Sequence, residues 1–199
     1  MAALHHLEFF FDVGSPTAYL AWTQLPAIAK QADVQIQYKP MLLGGVFKAT
    51  GSTSPASVPA KGRWMQQDIA RWAARYGVRY QHNPAFPINT LTLMRAVTGQ
   101  LALGQPALEA FLHAVFPALW ADAQDLGAPE TLAQLLFSAG FDAPSVLELA
   151  QLPDTKSRLL ATTQEAVARG VFGAPSIFVD DVLYFGQDRL EFVREALLG

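Results

Sequence analysis

Residues 7–13 (Leu7-Glu8-Phe9-Phe10-Phe11-Asp12-Val13) are an almost unbroken apolar and aromatic run, which predicts a buried strand. The period then changes. From 17 to 31, Tyr19, Leu20, Leu25, Ile28 and Ala29 recur at helical spacing, behind a proline at 16 that suits a first helical position. Pro26 lies inside this stretch and predicts a kink or a restart there. Val34-Gln35-Ile36-Gln37-Tyr38 alternates with period two and stops at Pro40, which predicts a second strand. Together these segments read as a β-α-β unit, which favours a parallel pair joined by a right-handed crossover.

Residues 44–60 are rich in glycine, serine, threonine and proline and read as a loop. Helical periodicity then dominates, with helices expected over 61–76, 90–103, 106–120, 129–139, 145–151 and 154–169. Gly77, Gly104, Gly127 and Gly140 stand near the ends of several of them. In the first, Trp64, Met65, Ile69, Trp72 and Ala73 fall near one face, and Trp64, Trp72 and Trp120 read as core rather than as a substrate cage. Short apolar runs return at 176–179 and 182–185, flanking Asp180-Asp181, and predict a hairpin before a last helix over 188–198. The order β-α-β, helical insert, β-β-α is the connectivity of a thioredoxin fold, an α/β architecture with a large all-helical insertion. It divides the chain into a thioredoxin-like unit (1–44 and 170–199) and an inserted loop and helical unit (45–169).

The chain has 199 residues, 51% of them hydrophobic, enough for a sizeable core. A net charge of −3 with sparse, mixed charges gives neither a nucleic-acid footprint nor a polybasic membrane patch. No apolar run reaches the roughly 20 residues that span a bilayer. Met1-Ala2-Ala3-Leu4-His5-His6 has no basic start or apolar core of a signal peptide and leads straight into the first strand, so a cytoplasmic location is expected. There is no cysteine, hence no protein thiol chemistry. No His, Asp and Glu grouping has metal-ligand spacing, and no motif ties the four histidines to a serine nucleophile.

Two places carry candidate chemistry. Ser15 follows the first strand and heads a helix; it either caps that helix or holds an anion there. Ala174-Pro175 stands just before the third strand, where a cis bond would expose the N–H and C=O of Ala174 to an extended peptide. With these in place, four stretches resemble the 2-hydroxychromene-2-carboxylate isomerase family: Phe11-Asp12-Val13-Gly14-Ser15-Pro16, the loop Ser54 to Lys61, Gly170-Val171-Phe172-Gly173-Ala174-Pro175, and Phe185-Gly186-Gln187-Asp188-Arg189-Leu190. The chain is similarly close to the kappa-class glutathione transferases, and more distantly to disulfide oxidoreductases of the DsbA type.

The resemblance implies that glutathione is the cofactor and assigns its contacts. Ser15 bonds the sulfur and Lys61 a carboxylate. Ala174 pairs with the cysteinyl backbone beside cis Pro175, and Gln187 and Asp188 hold the γ-glutamyl end. The family often has asparagine where this chain has Ser52, and a hydroxyl replaces one amide bond but not both. A free thiol with a pKa near 8.5 is only about 3% thiolate at pH 7. A hydroxyl donor and a helix N-terminus together lower that pKa by about 1–2 units.

The resemblance also implies an isomerase that interconverts 2-hydroxychromene-2-carboxylate and trans-o-hydroxybenzylidenepyruvate, acting as a homodimer. The small aromatic carboxylate would meet an apolar wall of Leu42, Leu43, Val46, Phe47 and the segment Phe86-Pro87-Ile88-Asn89-Thr90, with Lys48 or Arg63 on its carboxylate. A kappa-like transferase or peroxidase and a non-catalytic binding module are the alternatives.

Overall fold

The alternation of strand β1 (Leu7–Phe11) decides the layering. Phe9 and Phe11 project into the main core, whereas Phe10 projects to the opposite face among Met41, Val46, Ala166, Val171 and Phe178. A sheet buried on both faces needs a cover on each. The computed structural model describes residues 5–199 and supplies both covers. The reading of Met1–Leu4 as a lead into β1 lies outside the described residues.

After β1 come α1 (Pro16–Gln31), β2 (Ile36–Pro40), α2 (Leu43–Thr50), a 3₁₀ turn (Pro55–Ser57) and α3 (Pro59–Tyr76). Helices α4 (Leu91–Leu103), α5 (Gln105–Trp120), α6 (Pro129–Ser138), α7 (Ala143–Gln151) and α8 (Pro153–Ala168) follow. The chain closes with β3 (Ser176–Val179), β4 (Val182–Phe185), a 3₁₀ turn (Gln187–Arg189) and α9 (Leu190–Leu198). The sheet order is β2-β1-β3-β4, with β1 parallel to β2 and antiparallel to β3. This is the expected thioredoxin-like α/β fold. The main core joins Phe9, Phe11 and Trp22 to Phe116, Leu119 and Trp120 of the helical block, so apolar packing is continuous across both units.

Four departures from the sequence expectation bear on how the site is placed. β1 ends at Phe11, not Val13, because Asp12 turns the chain and its C=O accepts the Ser15 N–H at 3.0 Å. Helix α1 does not restart at Pro26 but runs unbroken through it, with Pro26 on the exposed face of the helix. β2 begins at Ile36 because Val34 donates its N–H to Ala29 in the turn that closes α1. The expected loop over 44–60 contains α2. Gly45 is there for close packing: a Cβ on it would stand 3.1 Å from Thr163 of α8.

One buried carboxylate joins the segments around the sheet's C-terminal edge. Asp12 is 2% exposed and accepts from Gly14 N–H (2.9 Å), Leu43 N–H (2.9 Å) and the Thr90 hydroxyl (3.1 Å). Burial raises its pKa, against those three bonds, which favour the anion. Asp12→Ala is therefore expected to lower unfolding free energy by about 2–3 kcal/mol, since three donors lose their acceptor, and Thr90→Val by less than half as much. Urea denaturation at neutral pH checks both; equal, negligible losses would show that the carboxylate is not an anchor.

Candidate active site

Three bonds lock the turn between β1 and α1. Val13 donates its N–H to Met94 Sδ (3.3 Å) and accepts from Trp120 Nε1 (2.8 Å), while Asp12 holds Gly14. The chain leaves this turn with Ser15 in an extended conformation and Pro16 at the first helical position. Ser15 Oγ accepts the Ala18 N–H at 3.1 Å, so Ser15 does cap α1. The same oxygen is 2.9 Å from Thr17 Oγ1 and 3.1 Å from the Ala174 carbonyl, 159 residues away. Thr17 Oγ1 donates to that carbonyl too, at 3.1 Å. Capping and a second role are thus compatible in one side chain.

Ala174 is placed by the loop before β3. The Ala174–Pro175 bond is cis, as the sequence suggested, and so is Phe86–Pro87. Ser176 Oγ donates to Gly173 C=O at 2.9 Å, and Pro175 C=O accepts from Gly186 N–H at 3.0 Å. Gly173 must lack a side chain because a Cβ would stand 2.7 Å from the Phe185 ring. The Ala174 N–H meets no protein acceptor among the described residues. After β4 the chain turns into Gln187 and Asp188. Tyr76 of α3 donates its hydroxyl to Gln187 C=O at 2.6 Å and pins this turn. Burial, with Asp188 nearby, pushes the Tyr76 phenol up to about 12, so it stays a donor at neutral pH. Arg189 bridges to the Asp188 carboxylate at 2.9 Å.

These pieces open onto one cavity of about 390 Å³. Ser15, Ser52, Ala174, Gln187 and Asp188 line it, as do Phe47 and Phe86 from the expected apolar wall. Pro175 is buried directly behind Ala174. Lys61 is exposed in the first turn of α3, and Lys48 is exposed in the last turn of α2; neither lines the cavity. Arg63 lines an adjoining cavity of about 330 Å³ with Tyr80 and His82, reached past Pro16, Met65, Ile69 and Phe86, which border both. Two members of the expected substrate wall are engaged elsewhere. Thr90 bonds Asp12, and Asn89 accepts the Leu91 N–H at 3.1 Å.

The lining residues not anticipated as site residues include Thr17, Trp64, Met65, Asp68, Ile69, Phe172 and Phe185. Trp64 was expected in the core but is 59% exposed on the cavity side of α3. Phe172 and Phe185 pack on each other with ring centroids 4.5 Å apart. Among the described lining residues the charged ones are Asp68 and Asp188, so the feature there that favours an anion is the N-terminus of α1. A buried helix N-terminus with a hydroxyl, an unpaired backbone donor and aromatic walls is suited to an anionic group on an extended, partly apolar ligand.

The family profile of the DSBA-like thioredoxin domain matches residues 6–198. Over 194 residues the chain is 32% identical to the 2-hydroxychromene-2-carboxylate isomerase of Sphingobium xenophagum, covering 96% of this chain and 97% of that protein. The chain belongs to the 2-hydroxychromene-2-carboxylate isomerase family, within the DSBA-like thioredoxin domains. A solved 2-hydroxychromene-2-carboxylate isomerase superposes with a TM-score of 0.84 at 26% identity, over 96% of this chain and 93% of that one. The human glutathione S-transferase kappa 1 is 26% identical over 212 residues, covering 96% of this chain and 90% of that protein.

Within this isomerase-family chain, the turn at Gln187 is held by Tyr76 from a different unit of the fold. Tyr76→Phe is expected to keep the fold and to lower unfolding free energy by about 0.5–1.5 kcal/mol, the value of one hydrogen bond. Urea denaturation against the parent protein checks this; unchanged stability would mean the turn holds itself.

Proposed function

We propose that the chain is a glutathione-dependent isomerase that interconverts 2-hydroxychromene-2-carboxylate and trans-o-hydroxybenzylidenepyruvate. The observation that carries the reading is the Ser15 hydroxyl, set at a helix N-terminus and facing Ala174 C=O, in a chain with no cysteine. The residues present fit glutathione. Ala174 offers its unpaired backbone N–H to an extended cysteinyl residue, its C=O being held by Ser15 and Thr17, and Gln187 and Asp188 line the cavity where an α-amino and carboxylate group would lie. Ser52 and its neighbours Thr53 and Ser54 line the loop side, with Lys61 further along on α3.

When bound, glutathione supplies a thiolate whose reversible addition turns a carbon–carbon double bond into a freely rotating single bond. The chain's own part is electrostatic and positional. Ser15 donates to the sulfur, and the N-terminus of α1 favours its charge. Phe47, Trp64, Phe86 and Phe172 exclude water and stack on an aromatic ring. Arg63 faces the substrate carboxylate from the adjoining cavity; burial lowers the pKa of His82 beside it, so Arg63 is the permanent cation there. Lys48, exposed at the end of α2, is the alternative cation, though it does not line the cavity. The reading calls for a compartment that keeps glutathione reduced, the cytoplasm. No helix among the described residues is long and apolar enough to cross a membrane.

The same glutathione site suits a kappa-like transferase, and the likeness to human glutathione S-transferase kappa 1 keeps that reading beside the first. A panel of the chromene carboxylate and an electrophilic aromatic halide, each with and without glutathione, separates them. Isomerisation that requires glutathione and does not consume it is expected. Conjugation of the halide alone would replace the proposal with the transferase, and no turnover of either would leave a binding module. Ser15→Ala should fold, losing about 0.5–2 kcal/mol as a lost cap, while its glutathione-dependent rate falls by about tenfold or more. A rate unchanged in that variant would restrict Ser15 to capping. By the family resemblance the active unit is a homodimer, and a monomeric solution mass at micromolar concentration would remove that part.

A further inference from the structure

Ser15 Oγ, Thr17 Oγ1 and the Ala174 carbonyl oxygen form a closed triangle with sides of 2.9, 3.1 and 3.1 Å. The two hydroxyls have one proton each, against three contacts in the triangle. Ser15 Oγ also accepts from the Ala18 N–H, so its proton is its only means of donation. If Ser15 alone faced Ala174, turning that proton toward a ligand would leave the carbonyl without its donor, a loss comparable to the bond gained. Thr17 removes the conflict because its hydroxyl reaches the same carbonyl at the same distance.

We propose that Thr17 is a positioning residue that takes over the Ala174 carbonyl and so releases the Ser15 proton to the sulfur of bound glutathione. The inference rests on the glutathione reading above and deepens it. The exchange moves no heavy atom: Thr17 donates to Ala174, Ser15 rotates its O–H into the cavity, and the Ala18 N–H stays on Ser15 Oγ. In Thr17→Val the isosteric side chain keeps the packing but cannot donate, so the Ser15 proton stays on the carbonyl. Thr17→Ser restores the donor.

The test is ultraviolet titration of the thiol of glutathione bound to the full chain. Parallel titration with S-methylglutathione, which has no ionisable thiol, reports whether the site is intact. Thr17→Val should raise the bound-thiol pKa by about 0.5–1 unit, a three- to tenfold fall in the thiolate-to-thiol ratio, with S-methylglutathione affinity within about twofold of the parent. Thr17→Ser should return the pKa to the parent value. In a Ser15→Ala background Thr17→Val should produce no further shift, because the exchange acts only through Ser15. A pKa unchanged in Thr17→Val, or the same shift with and without Ser15, overturns the proposal. Weakened S-methylglutathione binding in Thr17→Val that Thr17→Ser does not rescue also overturns it, assigning Thr17 to the scaffold. If the parent protein binds no glutathione, or leaves its thiol pKa near that of the free tripeptide, the glutathione reading and this inference fall together. A lowered pKa in the parent that Thr17→Val does not alter removes Thr17 alone.

Discussion

The Asp12 carboxylate takes hydrogen bonds from three segments that are far apart in sequence: the turn after β1, the start of α2 and the residue before α4. Each segment contributes to the cavity or stands directly beside a part that does. Gly14 and Ser15 belong to the first, Leu43 and Phe47 to the second, and Phe86 lies a few residues before Thr90 in the third. A buried carboxyl group is tolerated only when its oxygens are hydrogen-bonded, and here two backbone N–H groups and one hydroxyl donate to them. The carboxyl group thus fixes the register between the sheet and the helical insert at the edge that carries the candidate site.

From that anchor the site is assembled almost entirely from element ends. Ser15 is the cap of α1, Ala174 precedes β3, and Gln187 follows β4. Element ends leave backbone groups unpaired, and these are the groups an extended peptide ligand requires. The sheet side therefore offers backbone pairing, and the insert side offers aromatic surface through Phe47, Trp64 and Phe86. A second anchor, Tyr76 on Gln187, ties the two sides together at the far end of the cavity.

The sheet and its connectivity were legible because β1, β3 and β4 are short apolar runs bounded by turn residues, and because Ser15-Pro16 is a strong helix-start signal. Ser15, Ala174, Gln187 and Asp188 were named from motifs at those ends, and the fold brings them to one cavity. What escaped depended on partners distant in sequence. Gly44-Gly45 reads locally as a turn, yet Gly45 is small because Thr163 of α8 approaches it. Trp64 reads as core because it neighbours the apolar stripe of α3, although only Ile69 and Ala73 of that helix are fully buried. Thr90 and Asn89 looked like members of a substrate wall, but the first is engaged by Asp12 and the second by its own helix start. Thr17 gave no signal at all, since its significance is a distance to Ala174.

A probable DsbA oxidoreductase of known structure shares this fold, whereas the reading above makes this chain an isomerase, and the difference lies in what the residue that caps α1 can do. A thiol at that helix N-terminus is acidified and attacks disulfides, so it ends up covalently linked to its substrate. A hydroxyl there is too weak an acid to ionise and can only donate. On the proposed reading it acidifies a bound thiol instead, and the sulfur chemistry passes from the protein to glutathione. That transfer has a structural requirement. A hydroxyl already donating to Ala174 stabilises nothing else, so the site must contain a second donor for that carbonyl. Thr17, one residue beyond Pro16 and facing the same oxygen, meets this requirement, and no residue at that position is needed for that purpose when a cysteine thiolate supplies the charge itself.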